Sequence, residues 1–283
     1  MGDDAQGCLQ WKPDVLPGFS ATALHGGVLV RHDAPPPQPR AAILHLHGYN
    51  DYFFHTELAV DFADAGLAFY ALDINGAGRA LDQQVIPHFM ASISEPGDAI
   101  QESIELLATV HPGLALVVHA HSTGGLSAAI WAADRPHEAL AGMILDSPLF
   151  GRRERGIKRY GRLVLPLLGR VRPLMEVSHN PSIYAHHLHV SNGGRWDFDT
   201  RMKRPEGVRA RAAWALAVLQ AQRRIARGLG LRVPVLVARS ARTGPERMDN
   251  PELDRQDIVV DVDAIARLAP RLGSEVEELV IDG

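Results

Sequence analysis

Residues 117–125 read Val-Val-His-Ala-His-Ser-Thr-Gly-Gly. The apolar start of this stretch predicts a buried strand, and the apolar residues over 126–133 recur at the spacing of a helix. Between them, Ser122 has a small residue two positions before it, Ala120, and a glycine two positions after it, Gly124. Because a sharp strand-to-helix turn has no room for bulky side chains, this pattern predicts that the turn lifts the Ser122 hydroxyl clear of the sheet.

Further apolar runs predict the other strands of the same sheet. They cover residues 41–46, 67–72, 114–118, 143–145, 233–238 and 276–281. Helical patterns lie between the earlier runs, with apolar stripes over 58–65, 100–107 and 126–133. Strands that are apolar throughout and alternate with helices indicate an α/β fold, whose mostly parallel central sheet has helices on both faces. Two candidate strands over 21–24 and 28–31 predict an antiparallel start.

A change of composition after Pro148 predicts an insertion. Residues 149–230 contain no convincing strand pattern, several helical patterns and most of the Lys and Arg residues, but few acidic ones. We therefore expect a helical cap over 149–230, between a first core part, 1–148, and a second core part, 231–283.

A second motif, His47-Gly48-Tyr49, directly follows the predicted strand 41–46. In acyl-transfer enzymes of this layout, two backbone N–H groups bind the oxyanion. One belongs to the residue after the nucleophile, here Thr123, and the other to the loop that contains Tyr49. Gly48 allows close approach of the backbone, and His47 is interpreted as the histidine of this loop. His121 is expected to pack or hydrogen-bond around the turn at Ser122.

The chain resembles the α/β-hydrolase superfamily, in particular its monoacylglycerol-lipase-like and serine-aminopeptidase-like branch. The matching stretches are 46–52, 70–79, 121–125, 194–199 and 233–237. The family often has Arg and Ser where this chain has Asn75 and Ala80, a difference expected to affect the shape of a loop. The resemblance implies a serine hydrolase that needs no cofactor.

The acid of the catalytic triad should lie after the predicted strand 233–238, because the order in this fold is Ser, then Asp or Glu, then His. The resemblance places it at Asp257. Asp261 is the alternative, although its position suits the N-cap of the helix that carries Ile265 and Leu268. Asp254 is a third candidate.

The general base is the open question, because no histidine follows His189. The family places this histidine shortly after the last strand, here 276–281. Three explanations stay open: the sequence stops short of the histidine, another histidine such as His186, His187 or His189 replaces it, or the protein has lost catalysis. A serine without an adjacent proton acceptor is a weak nucleophile.

Composition excludes several other classes of protein. The formal net charge of −4 argues against a general nucleic-acid binder. The single cysteine, Cys8, the absence of a signal-peptide pattern and the lack of a membrane-spanning apolar run favour a soluble cytoplasmic protein. His45, His47 and Asp51, with the run His186-His187-x-His189, could be drawn as metal ligands, but no second cluster has zinc-like spacing, so no metal is expected.

The expected substrate is a small ester or a lipid with an apolar acyl group. A peptidase, a transferase that uses the same acyl-enzyme and a ligand-binding protein without catalysis are the alternatives. The oligomeric state cannot be predicted from these patterns.

Overall fold

The computed structural model describes residues 10–151, 161–178 and 182–282. Within these ranges, nine strands form one sheet in the order β1-β2-β3-β5-β4-β6-β7-β8-β9. The strands are β1 (Lys12–Pro13), β2 (Phe19–Leu24), β3 (Gly27–His32), β4 (Ala41–Leu46), β5 (Leu67–Ile74), β6 (Ala115–His121), β7 (Leu140–Asp146), β8 (Val235–Ser240) and β9 (Val276–Ile281).

The sheet is antiparallel at one edge and parallel elsewhere. Strands β1, β2, β3 and β5 pair antiparallel in that order, and all pairs from β5 through β4 to β9 are parallel. Strand β4 lies between β5 and β6, and all six of its residues are buried. The predicted mostly parallel sheet and its antiparallel start are therefore confirmed, whereas the two-residue strand β1 was not predicted.

Seven α-helices of the described residues connect these strands: α1 (Thr56–Asp64), α2 (Gly97–Val110), α3 (Thr123–Asp134), α4 (Gly161–Val171), α5 (Ile183–Leu188), α6 (Ala212–Arg227) and α7 (Val262–Leu268). Helix α3 is buried from Thr123 to Ala132, so it passes through the interior next to the sheet. Its buried apolar residues belong to the principal core together with those of β4 and β6.

The described part of the segment between β7 and β8 contains helices and no strand of the sheet. It contains α4, α5 and α6, and its described residues pair as β-structure only in isolated bridges, Glu176 with Arg211 and His189 with Trp196. Helix α6 differs from α4 and α5 because its apolar face, including Trp214 and Ile225, belongs to the principal core. The proposed cap boundaries of 149–230 stay a prediction, and α6 is the part of the segment that joins the core.

No helix in the described residues has both the length and the apolar character that crossing a bilayer requires.

Candidate active site

Ser122 lies in a strained backbone conformation between β6 and α3. Its φ of 53° and ψ of −117° are rarely adopted by a residue with a side chain. Both backbone polar groups of Ser122 are hydrogen-bonded, which holds the strand-to-helix turn. Ser122 N donates to Asp146 O at 3.0 Å, and Leu149 N donates to Ser122 O at 3.0 Å. Such strain persists only where the surrounding structure enforces it, and it is typical of functional sites.

The small residues around Ser122 allow this turn to pack against its neighbours. A Cβ on Gly124 would collide with His47 O and lie 2.9 Å from Leu46 O, at the end of the adjacent strand β4. A Cβ on Gly125 would lie 3.0 Å from the Cβ of Pro148. The loop after β4 therefore approaches the first turn of α3 closely only because Gly124 has no side chain.

His47 orients the peptide group that follows Gly48. Its Nε2 accepts a hydrogen bond from Ile74 N at 3.2 Å, so the ring proton is on Nδ1, which donates to Gly48 O at 2.7 Å. Because a trans peptide is planar, fixing the Gly48 carbonyl also fixes the Tyr49 N–H, which points in the opposite direction. His47 therefore controls the direction of one predicted oxyanion donor.

The two predicted oxyanion donors belong to elements that meet at one cavity. Gly48, Tyr49, Thr123 and Gly124 line it, together with both apolar and polar side chains. Thr123 is the first residue of α3, where backbone N–H groups have no partner within the helix and the helix dipole favours negative charge. A Cβ on Gly48 would lie 3.1 Å from the Cβ of Ser122, which shows how closely this loop approaches the serine.

The far end of the same loop is anchored by a buried charge network that the sequence reasoning did not identify. The Asp73 carboxylate accepts hydrogen bonds from Phe53 N at 2.8 Å and from Arg79 at 2.7 Å. Arg79 also pairs with Asp14 at 2.6 Å and donates to Phe53 O at 2.9 Å. Asp73 and Arg79 lie in the stretch 70–79, one of those that resemble the family. That resemblance was the signal in the sequence that could have identified them.

Asp257 occupies the loop between β8 and α7. One of its carboxylate oxygens accepts hydrogen bonds from Val259 N at 2.8 Å and Val260 N at 2.7 Å. Burial raises the pKa of Asp257, while these two backbone donors act against the increase by stabilising the charged form. Its carboxylate also interacts electrostatically with His121 and Asp146, the final residues of β6 and β7, so it lies at the same end of the sheet as Ser122.

The other candidate acids have different partners. Asp261 is the N-cap of α7, with its carboxylate accepting from Asp263 N and Ala264 N, as its position in the sequence predicted. Asp254 is largely exposed and pairs with His187 at 2.9 Å. These contacts leave Asp257 as the candidate that lies half-buried at the same end of the sheet as Ser122.

The remaining predicted histidines, apart from the exposed His186, contact other groups of the protein. His189 contacts Ser191 through Nδ1 and Phe198 O through Nε2, and His186 is exposed on α5. His45 contacts His119 on the neighbouring strand, with 2.8 Å between their Nδ1 atoms. His121 is half-buried, and its Nδ1 would lie 3.2 Å from a Cβ on Gly48, so it packs beside the turn.

The mostly parallel sheet with helices on both faces, and the strained serine between a central strand and its helix, define an α/β-hydrolase. Comparison with known families agrees with this class and identifies one family. The family model described as "Serine aminopeptidase, S33" matches residues 37–242, and the chain belongs to this family.

Individual relatives include lipases. The monoacylglycerol lipase of Mycolicibacterium smegmatis is 31% identical over 156 residues, which are 54% of this chain and 54% of that protein, so the match spans about half of that relative. The crystal structure of Paleococcus ferrophilus monoacylglycerol lipase has a TM-score of 0.67 and 18% identity, covering 92% of this chain and 90% of that one. A soluble variant of Saccharomyces cerevisiae monoglyceride lipase has a TM-score of 0.65 and 15% identity, covering 95% and 87%. At these identities the two structures establish the shared fold.

Proposed function

We propose that this protein is a serine hydrolase that cleaves carboxylic esters through an acyl-enzyme on Ser122. The observation that carries the proposal is the strained backbone of Ser122, whose side chain makes no capping hydrogen bond to the helix it precedes. A serine at an N-cap ordinarily accepts a hydrogen bond from a backbone N–H in the first turn of the helix. The Ser122 hydroxyl is therefore not used for capping α3.

In the proposed mechanism, the Ser122 hydroxyl attacks the ester carbonyl, and the N–H groups of Tyr49 and Thr123 bind the oxygen as it becomes negative. A histidine, which the family places after β9, takes the serine proton and returns it to the leaving alcohol. Asp257 would orient the ring of that histidine. Water then attacks the acyl-enzyme by the same route and releases the carboxylic acid.

The proposed substrate is an ester with an apolar acyl group, such as a monoglyceride or a lysophospholipid. The names of the relatives support this choice. We further propose that residues 149–230 form a cap whose helices shape the acyl site.

A fluorophosphonate probe tests the nucleophile on protein expressed from the complete gene. The wild-type protein should be labelled, and Ser122→Ala should not be. Ser103→Ala is the matched control, because Ser103 is a buried serine on α2 outside the cavity that Gly48 and Thr123 line and should leave labelling intact. Equal labelling of Ser122→Ala and the wild type would refute the assignment. Labelling without hydrolysis of acetyl, butyryl and octanoyl esters would favour the transferase or peptidase alternatives.

A further inference from the structure

Lys203 has an unusual environment for a lysine. Only 2% of it is exposed, and its Nζ lies 2.9 Å from Asp51 Oδ1. Aromatic rings surround the ammonium group, with centroids at 4.9 Å for Phe54, 5.2 Å for Phe198 and 5.8 Å for Tyr184. A buried cation needs a partner, and here one carboxylate and three ring faces replace water.

The two members of this ion pair belong to different parts of the molecule. Asp51 is in the loop after β4, two residues from Tyr49, whereas Lys203 is in the segment between β7 and β8. Burial acts to raise the pKa of Asp51, but chiefly Lys203 lowers it to about 2, so the carboxylate stays charged. The ion pair therefore connects the loop of the predicted oxyanion donor to the proposed cap over the whole neutral pH range.

Neighbouring contacts make the same connection. Asn50 Nδ2 donates to Arg204 O at 2.9 Å, and Asn50 Oδ1 accepts from Arg204 N at 3.0 Å. The Tyr52 hydroxyl accepts from Asp199 N at 2.9 Å. Three consecutive residues of the loop thus bind one short segment, and we call this set of contacts the loop clamp: Asn50, Asp51 and Tyr52 with Asp199, Lys203 and Arg204.

The loop clamp holds a backbone conformation that this loop would not keep without it. Asn50 has a φ of 53°, in the left-handed region, directly after Tyr49. His47 fixes the Gly48–Tyr49 peptide from one side, and the loop clamp fixes it from the other. An oxyanion donor must be held within a few tenths of an ångström, since its contribution depends on preorganised geometry.

We propose that Lys203 is a positioning residue for ester hydrolysis: by pairing with Asp51 it holds the Tyr49 N–H where it stabilises the oxyanion. The inference rests on the proposed function, because it assigns Lys203 a part in that same reaction. Lys203 itself touches no reacting atom.

Lys203→Met tests this role, because methionine retains an apolar chain among the rings and removes the charge. We expect kcat for a butyryl ester to fall about 10- to 100-fold with KM changed less than about 3-fold, as for weakened oxyanion binding. The affinity for an alkylboronate, which mimics the tetrahedral intermediate, should fall by a similar factor. Arg195→Met is the control, because Arg195 is an exposed residue of the same segment whose partner, Asp254, lies outside the loop clamp, and it should retain wild-type kinetics.

The double variant Asp51→Asn/Lys203→Met separates positioning from folding. Lys203→Met alone leaves a buried carboxylate without its cation, which lowers Tm. The double variant removes that charge, so Tm should recover while kcat stays at least 10-fold below the wild type. Recovery of kcat together with Tm would overturn the inference.

Failure of the inference is distinguishable from failure of the proposed function. Wild-type protein that neither hydrolyses esters nor reacts with fluorophosphonate would overturn both. An active wild type together with folded Lys203→Met of unchanged kcat and boronate affinity would overturn the positioning role alone.

Discussion

Replacing His55 by phenylalanine should make the protein more resistant to mild acid. His55 precedes α1 and makes no capping hydrogen bond to it. Its ring stacks on Phe54 at 3.9 Å and meets Trp196 edge-on at 5.5 Å. Among the described residues its buried Nδ1 has no hydrogen-bond partner. Phenylalanine retains the ring contacts and removes this unpaired polar atom.

The size of the effect follows from the pKa of His55. Burial lowers it from the ordinary 6.5 to about 4, while the nearby Asp51 carboxylate acts in the opposite direction. At pH 5 the folded protein therefore keeps His55 neutral, whereas the unfolded chain carries it protonated. Unfolding takes up a proton, so the free energy of unfolding falls as the pH decreases from 6.5 towards 4. Over the 1.5 pH units from 6.5 to 5, the loss is about 2 kcal/mol.

Urea unfolding of the wild type and His55→Phe at pH 8 and pH 5 measures this difference. The stability of the variant relative to the wild type should increase by about 2 kcal/mol between the two pH values. His186→Gln, at an exposed histidine, is the control and should show the same pH dependence as the wild type. A difference between His55→Phe and the wild type that is the same at both pH values would refute the reasoning.

Local patterns were sufficient to predict the sheet and the turn at Ser122. Strand β4 is buried along its whole length and β6 over most of it, so their sequences are largely apolar, and this signal needs no knowledge of their neighbours. The turn at Ser122 is specified by adjacent small residues, Ala120 and Gly124, and the structure confirms its strained conformation. The catalytic roles assigned to this turn stay predictions.

Contacts between distant parts of the chain could not be predicted in this way. Lys203 lies in a polar, basic stretch, where a lysine ordinarily indicates an exposed surface, yet it pairs with Asp51, 152 positions earlier. Likewise, Asp14 and Arg79 are 65 positions apart and are brought together by the tertiary fold, in which β3 pairs with β5. Polar partners of this kind are chosen by the tertiary fold, and no periodicity in the sequence records them.

Helix α6 shows an intermediate case. Its sequence has an apolar stripe that predicts a helix with one buried face, and the structure contains that helix. The sequence does not show which surface the stripe contacts. The composition placed it with the rest of the insertion, whereas Trp214 and Ile225 pack into the principal core.

Two further substitutions test the supports of the site. Arg79→Met should lower the free energy of unfolding by about 3–5 kcal/mol in urea titrations, because it leaves the buried Asp14 and Asp73 carboxylates without their cation; a loss below 1 kcal/mol would contradict this. Asp257→Asn should lower kcat of the ester assay at least about 100-fold with little change in KM, because an amide would hold the general base in the wrong tautomer. Asp261→Asn is its matched control, since asparagine also caps helices well. If the Asp261 variant lost activity and the Asp257 variant kept it, the acid would have to be reassigned to Asp261.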